Sequence, residues 1–158
     1  MQYTATGEDS RHFEITNEQG EVTGRLEYDA FLPSKAQITI GDKVVYDLVP
    51  GNFMNAEIDI TMNGMPFAEI KPDFNGGLDL VFNNGRSFYF TRQGLGTGNY
   101  VITDEDQQEV ASMQSEFSWR TMSFDHTIYV PANGLDGDIN AILPYLLVYC
   151  AKNMRMRR

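Results

Sequence analysis

The sequence is poor in the groups that most catalytic, metal-binding and membrane-anchoring devices require. It contains one cysteine, Cys150, and two histidines, His12 and His126. A single thiol excludes an intrachain disulfide, and its position inside an apolar run reads as a buried, inert side chain. The two histidines are far apart and neither has a metal-type neighbour at helical spacing, so they read as ordinary structural or surface residues. A Cys-His nucleophilic pair would require Cys150 to leave a core helix. No apolar run approaches the roughly 20 residues that a membrane-spanning helix needs. Residues 1–10 are polar and show no signal-peptide pattern, from which a cytoplasmic location is expected.

Positive charge is also scarce. Twelve Lys and Arg face 22 Asp and Glu, a net charge of -10, which argues against a nucleic-acid binder because phosphates must be neutralised by cations. The scarcity is uneven. Lys152, Arg155, Arg157 and Arg158 fall within the last seven residues, so the chain before them carries -14. Cations there complement a helix dipole, and the same group is a candidate contact for a membrane or a partner.

What the chain has in abundance is short alternating segments divided by Gly, Asn, Asp and Pro, the pattern of an all-β domain. Twelve strands are predicted, at about 13–17, 21–29, 36–40, 43–49, 57–62, 66–71, 78–83, 87–92, 100–104, 109–114, 119–123 and 127–130. Ile58, Ile60 and Met62 share one face while Glu57, Asp59 and Thr61 take the other; Leu78, Leu80 and Phe82 repeat the device. Asn63-Gly64, Asn84-Gly85 and Gly41-Asp42 supply the positive φ of tight hairpin turns. Residues 15–22 and 102–110 resemble each other, Thr-Asn-Glu-Gln-Gly-Glu-Val against Thr-Asp-Glu-Asp-Gln-Gln-Glu-Val, which points to two similar halves.

After Val130 the pattern changes. Residues 131–138 read as a loop, and the eleven residues 141–151 are apolar without a break. A helix that is apolar all round must be surrounded by protein. Pro144 marks either its start or a kink. A helix about 10 Å across needs a cylinder of roughly eleven or more strands, since an eight-stranded barrel holds only its own side chains. The expectation is one mainly β domain over 1–158: a flexible start at 1–11, barrel strands over 12–130, and a hydrophobic central helix over 139–155. The whole is a closed antiparallel barrel of about twelve strands.

The paired hairpins, the strand count and the terminal apolar run resemble the tubby C-terminal-like superfamily, which includes the LURP-one-related proteins and the phospholipid scramblases. That resemblance implies a twelve-stranded barrel around a hydrophobic C-terminal helix, and a lipid-related role. The chain lacks the long basic face of the phosphoinositide-binding tubby domains, and the cysteine cluster and spanning segment associated with scramblases. Lys71, Arg86 and Arg92 are the basic residues placed where a tubby-like anion site would lie.

Other residues invite chemical readings. Asp136, Asp138 and Asn140 begin like a calcium loop of alternating oxygen ligands, but Ala141 and Leu147 stand where its Gly and bidentate Glu belong; Asp138 or Asn140 as a helix cap explains the same residues. Asp104-Glu105-Asp106 reads as a solvated hairpin tip. Gly94, Gly96 and Gly98 lack the Lys-Ser and the helix start of a phosphate loop. No cofactor and no enzymatic activity are expected. The function expected is a binding or scaffold module for an anionic lipid headgroup or a protein partner. The alternatives are a scramblase-like calcium-dependent lipid mover, or a barrel carrier of a small apolar ligand.

Overall fold

The computed structural model describes residues 1–52, 57–94, 98–120 and 122–156. Alternation decides the wall. In β6 (Glu57–Met62) Ile58 and Ile60 are buried while Asp59 is exposed, and β3 (Val22–Tyr28) and β8 (Leu78–Phe82) follow the same rule. The remaining strands are β1 (Gln2–Gly7), β2 (His12–Thr16), β4 (Ala36–Ile40), β5 (Val44–Asn52), β7 (Met65–Pro72), β9 (Ser87–Gln93), β10 (Asn99–Thr103), β11 (Glu109–Ser118) and β12 (Ser123–Tyr129). Each pairs antiparallel with its sequence neighbours, and β1 pairs with β12, so the twelve strands close into a barrel. Closure leaves no open sheet edge. Outward positions such as Glu14, Arg25, Glu27, Asp47 and Glu69 are polar, the reverse of the apolar band a lipid-embedded barrel presents.

Helix α1 (Gly137–Met156) runs through the barrel. From Ile142 to Ala151 every residue is buried, against wall residues that include Ile15, Leu26, Ile38, Leu48, Ile60, Leu80, Phe90 and Ile102. A helix satisfies its own backbone hydrogen bonds, so it is the one element that can be enclosed without orphaning polar groups. Gly24 shows how closely it fits: a Cβ there would collide with the Thr39 carbonyl and the Tyr145 hydroxyl. That hydroxyl shares a 2.9 Å hydrogen bond with Thr23 Oγ1, pinning helix to wall. Tyr149 does the same further along, donating to the Ser34 carbonyl while its ring stacks on Tyr28.

Four expectations need correction. Residues 1–11 are not a flexible start, because β1 occupies most of them and closes the barrel; Gln-Tyr-Thr-Ala-Thr-Gly offers little apolar signal, and its place is decided by pairing with β2 and β12. The predicted strand at 119–123 is wrong as well: Trp119, Arg120 and Met122 lie in the turn between β11 and β12. One missed strand and one false strand leave the total at twelve. The helix begins at Gly137, two residues early, and Pro144 lies inside it. The cap is Asp136, whose Oδ1 accepts the Asp138 amide at 2.8 Å, rather than Asp138 or Asn140.

The two similar hairpins are built alike. Asn17 Oδ1 accepts the Gln19 and Glu21 amides at 3.0 Å, and Asp104 Oδ1 accepts the Asp106 and Gln108 amides at 2.9 Å. Both carry a bulge just after the turn, at Thr23 and at Val110. Gly20 and Gln107 hold the same positive-φ position, at 80° and 62°. A side-chain oxygen folding back on amides two and four residues ahead is local chemistry, which is why the repeat is visible in the chain.

Because all neighbours are antiparallel, successive connections alternate between the barrel's ends. The helix starts at the near end, among the loops 17–21, 41–43, 63–64, 83–86, 104–108 and 130–136. It finishes at the far end, among the loops 8–11, 29–35, 73–77 and 119–122. Leu146 is wholly buried midway between them. Leu146→Asp would bury an unpaired charge, costing about 3–5 kcal/mol and lowering Tm by about 10 °C or more. Thermal circular dichroism reads this, and a mutant melting within about 2 °C of wild type would contradict the enclosed helix.

Candidate functional site

The far end differs from the near end in both charge and apolarity. Over the near-end loops acidic residues outnumber basic ones seven to two. At the far end Arg11, Lys35, Arg120, Lys152 and Arg155 face four acids, Glu8, Asp9, Asp29 and Asp73. Three of those acids are engaged with their own loops. Asp29 Oδ2 accepts the Phe31 and Leu32 amides at 2.9 Å, and these bonds hold its carboxyl below the usual carboxylate range. Asp9 accepts the Arg11 amide at 2.7 Å and pairs with the His12 ring, and is lowered by the same two contacts. Asp73 accepts the Asn75 amide at 3.3 Å.

These turns hold apolar side chains in water. Phe31 is 90% exposed, Phe74 fully exposed and Trp119 80% exposed, with Leu32, Phe117 and Met122 also open. Single exposed apolar residues are ordinary, whereas here six gather at one end of the barrel. Trp119 stands on the β11–β12 hairpin, which pairs only with itself beyond Ser115 and His126 among the described residues. The Phe117 ring lies edge-on to Trp119 at 4.9 Å and to Phe124 at 5.4 Å.

Beneath this hairpin is a cleft of about 340 Å³, lined by Ser10, Phe13, Phe117, Met122, Phe124, Lys152 and Arg155. Lys152 donates to the Ser10 carbonyl and sits 3.8 Å over the Tyr28 ring; burial, then Arg155, lowers its pKa to about 8. The Arg155 guanidinium lies 4.2 Å over Phe124, and its Nη1 is buried without a hydrogen-bond partner. Cations near an aromatic face are stabilised by the ring quadrupole, yet their unused donors still favour an anion.

The sequence-derived candidates divide. Lys152 and Arg155 are brought together; Arg157 and Arg158 lie outside the described residues, as does Gly96. Lys71, Arg86 and Arg92 are not gathered: Arg86 is at the near end, ion-paired with Glu105 at 2.9 Å, while Lys71 and Arg92 stand on strand segments approaching the far end. Lys71 is itself 3.3 Å from Glu69. Asp136 Oδ1 caps the helix, and Asn140 Nδ2 donates to the Leu135 carbonyl at 3.3 Å while its side-chain oxygen is buried without a hydrogen-bond partner. Among the described residues no group of three or more His, Cys, Asp or Glu could hold a metal ion. Asp104 and Glu105 are spent on the hairpin and on Arg86. Gly98 serves a close approach, where a Cβ would strike the Ser115 carbonyl.

One pair is new to the structure. Ser115 Oγ and His126 Nδ1 lie 2.6 Å apart across the β11–β12 register. Registering that hairpin about its turn would have found it, but the false strand at 119–123 hid the turn. A Ser-His pair suggests nucleophilic chemistry, and its environment argues the other way. Burial, then Arg155, pushes the His126 pKa down to about 3, far from the range of an effective base at neutral pH, and Nε2 is buried without a partner to orient it.

Among the described residues no helix is long and apolar enough to cross a membrane. Comparison with protein-family models, with curated proteins and with solved structures finds no match.

His126 gives a pH signature. Its folded pKa lies below the unfolded value near 6.5, so between them the unfolded chain binds the extra proton and stability falls as pH falls. His126→Gln should remove up to about 1.4 kcal/mol of that loss per pH unit across the window from 6.5 toward 3. Urea denaturation of both proteins at pH 7 and pH 4.5 measures it; parallel losses would show His126 titrating normally.

Proposed function

We propose that the barrel is a non-enzymatic binding module that attaches to an anionic membrane surface by its far end. The observation that carries this reading is the coincidence there of exposed Phe31, Phe74 and Trp119 with the cationic end of the helix, opposite an acidic near end. Magnitudes rank the contributions. Immersing a Phe or Trp side chain is worth about 1.5–3 kcal/mol, whereas each Lys or Arg near an anionic surface adds about 1 kcal/mol and the acids offset most of that. Apolar insertion thus dominates, and charge sets orientation by keeping the near end away from the surface.

The alternatives have less support. An enclosed carrier needs the interior, which the helix side chains occupy. A calcium-dependent lipid mover needs Asp136 and Asp138, and Asp136 is taken up by the helix cap.

Flotation with phosphatidylserine-containing and pure phosphatidylcholine vesicles is the test. The protein should rise with the anionic vesicles and less with the neutral ones. A Phe31→Ser, Phe74→Ser, Trp119→Ser triple variant should stay at the bottom with an unchanged Tm. Absence of enrichment on either vesicle would overturn the reading.

A further inference from the structure

We infer that the cleft between the β11–β12 hairpin and the end of the helix is a site for one anionic amphiphile, its carboxylate or phosphate held by Lys152 and Arg155 and its chain against Phe13, Phe117 and Phe124. The inference rests on the docking reading, since the cleft opens on the same end, and it names the chemistry recognised there.

Three features of the cleft converge on that ligand class. Its volume of about 340 Å³ is at the lower bound of small-molecule sites, and three phenylalanines and Met122 make up most of its lining. An apolar wall alone would accept any hydrocarbon; two cations at its inner side select one bearing an anionic head. Those cations are incompletely satisfied. Arg155 Nη1 is buried with no acceptor, and Lys152 is half-buried with Ser10's carbonyl as its hydrogen-bond partner. A carboxylate or phosphate supplies the missing acceptors in the forked geometry a guanidinium favours.

The neighbouring acid does not fill this role. Asp9 is the carboxylate felt by Lys152, and its oxygens already serve the Arg11 and His12 amides and the His12 ring. The low pKa of Lys152 fits the same account: burial, then the Arg155 guanidinium, lowers it, and the charge of Asp9 does not offset them. The hairpin over the cleft is free of β1 and β10 beyond His126 and Ser115 among the described residues, so Phe117 and Met122 can shift to admit a chain without breaking the barrel.

Trp119, the only tryptophan, stands 4.9 Å from Phe117 and reports on the cleft. The 158-residue chain is titrated with dodecanoate and with dodecyl phosphate below their micelle concentrations, with inorganic phosphate, and with uncharged dodecyl maltoside. Equilibrium dialysis of labelled dodecanoate reads occupancy directly, whatever the fluorescence does. Saturable binding of both anionic amphiphiles is expected, with neither control binding comparably. Lys152→Met and Arg155→Met should each weaken dodecanoate by about tenfold or more, and Phe117→Ser, at an exposed position that leaves the fold intact, should weaken it too. Equal binding of dodecyl maltoside, equal binding of inorganic phosphate, or no binding of dodecanoate would each overturn the inference. The arms separate it from the docking reading: vesicle flotation without monomer binding leaves the surface and removes the cleft site, whereas monomer binding without flotation assigns the cleft to a free amphiphile and removes the membrane.

Discussion

Enclosing a fully apolar helix within a closed sheet is the constraint from which the rest of the molecule follows. Ten consecutive buried residues, Ile142 to Ala151, cannot be left in water, and the helix alone among regular elements carries no external backbone demands. Surrounding it takes a cylinder wide enough for a rod about 10 Å across, and twelve strands supply it. The wall must then be apolar inside at alternate positions, and Gly24 must be without a side chain so that Tyr145 can reach Thr23. Closure demands a last pairing, which falls to β1 and β12.

The same constraint separates the two ends. One chain passing once through a barrel begins at one rim and finishes at the other, so the helix brings Asp136 to the near end and Lys152 and Arg155 to the far end. The loops follow suit. Near-end turns are compact, held by Asn17 and Asp104, and acidic; far-end turns are held by Asp29 and Asp73 and present Phe31 and Phe74 to solvent. Asp and Asn do equivalent backbone work at both ends, but what they display differs, and that difference makes the barrel directional.

The state of the polar interior argues against a catalytic role for its one Ser-His contact among the described residues. In the Ser115–His126 pair the imidazole is buried and is held neutral by desolvation and by Arg155. That environment stabilises the hairpin root at neutral pH and withholds the proton affinity a general base requires.

Much of this fold was legible in the chain because its causes are local. Alternation at Ile58 and Ile60 or Leu78 and Leu80, turn chemistry at Asn63-Gly64, and the apolar run before Lys152 are each properties of a few adjacent residues. From them came the strand pattern, the central helix and, through the helix's diameter, the closed barrel. β1 was not legible, because Gln2 to Gly7 becomes a strand only by pairing with residues over a hundred positions away at β12. Nor was the cleft, for the same reason: Ser10, Phe13, Phe117 and Phe124 meet Lys152 and Arg155 only once the barrel closes and the helix threads it. The sequence by itself determined which residues are apolar, where the chain turns and that the last helix must be covered; the tertiary structure decided which charges stand together, since burial is a property of segments and proximity across the barrel is a property of the closed whole.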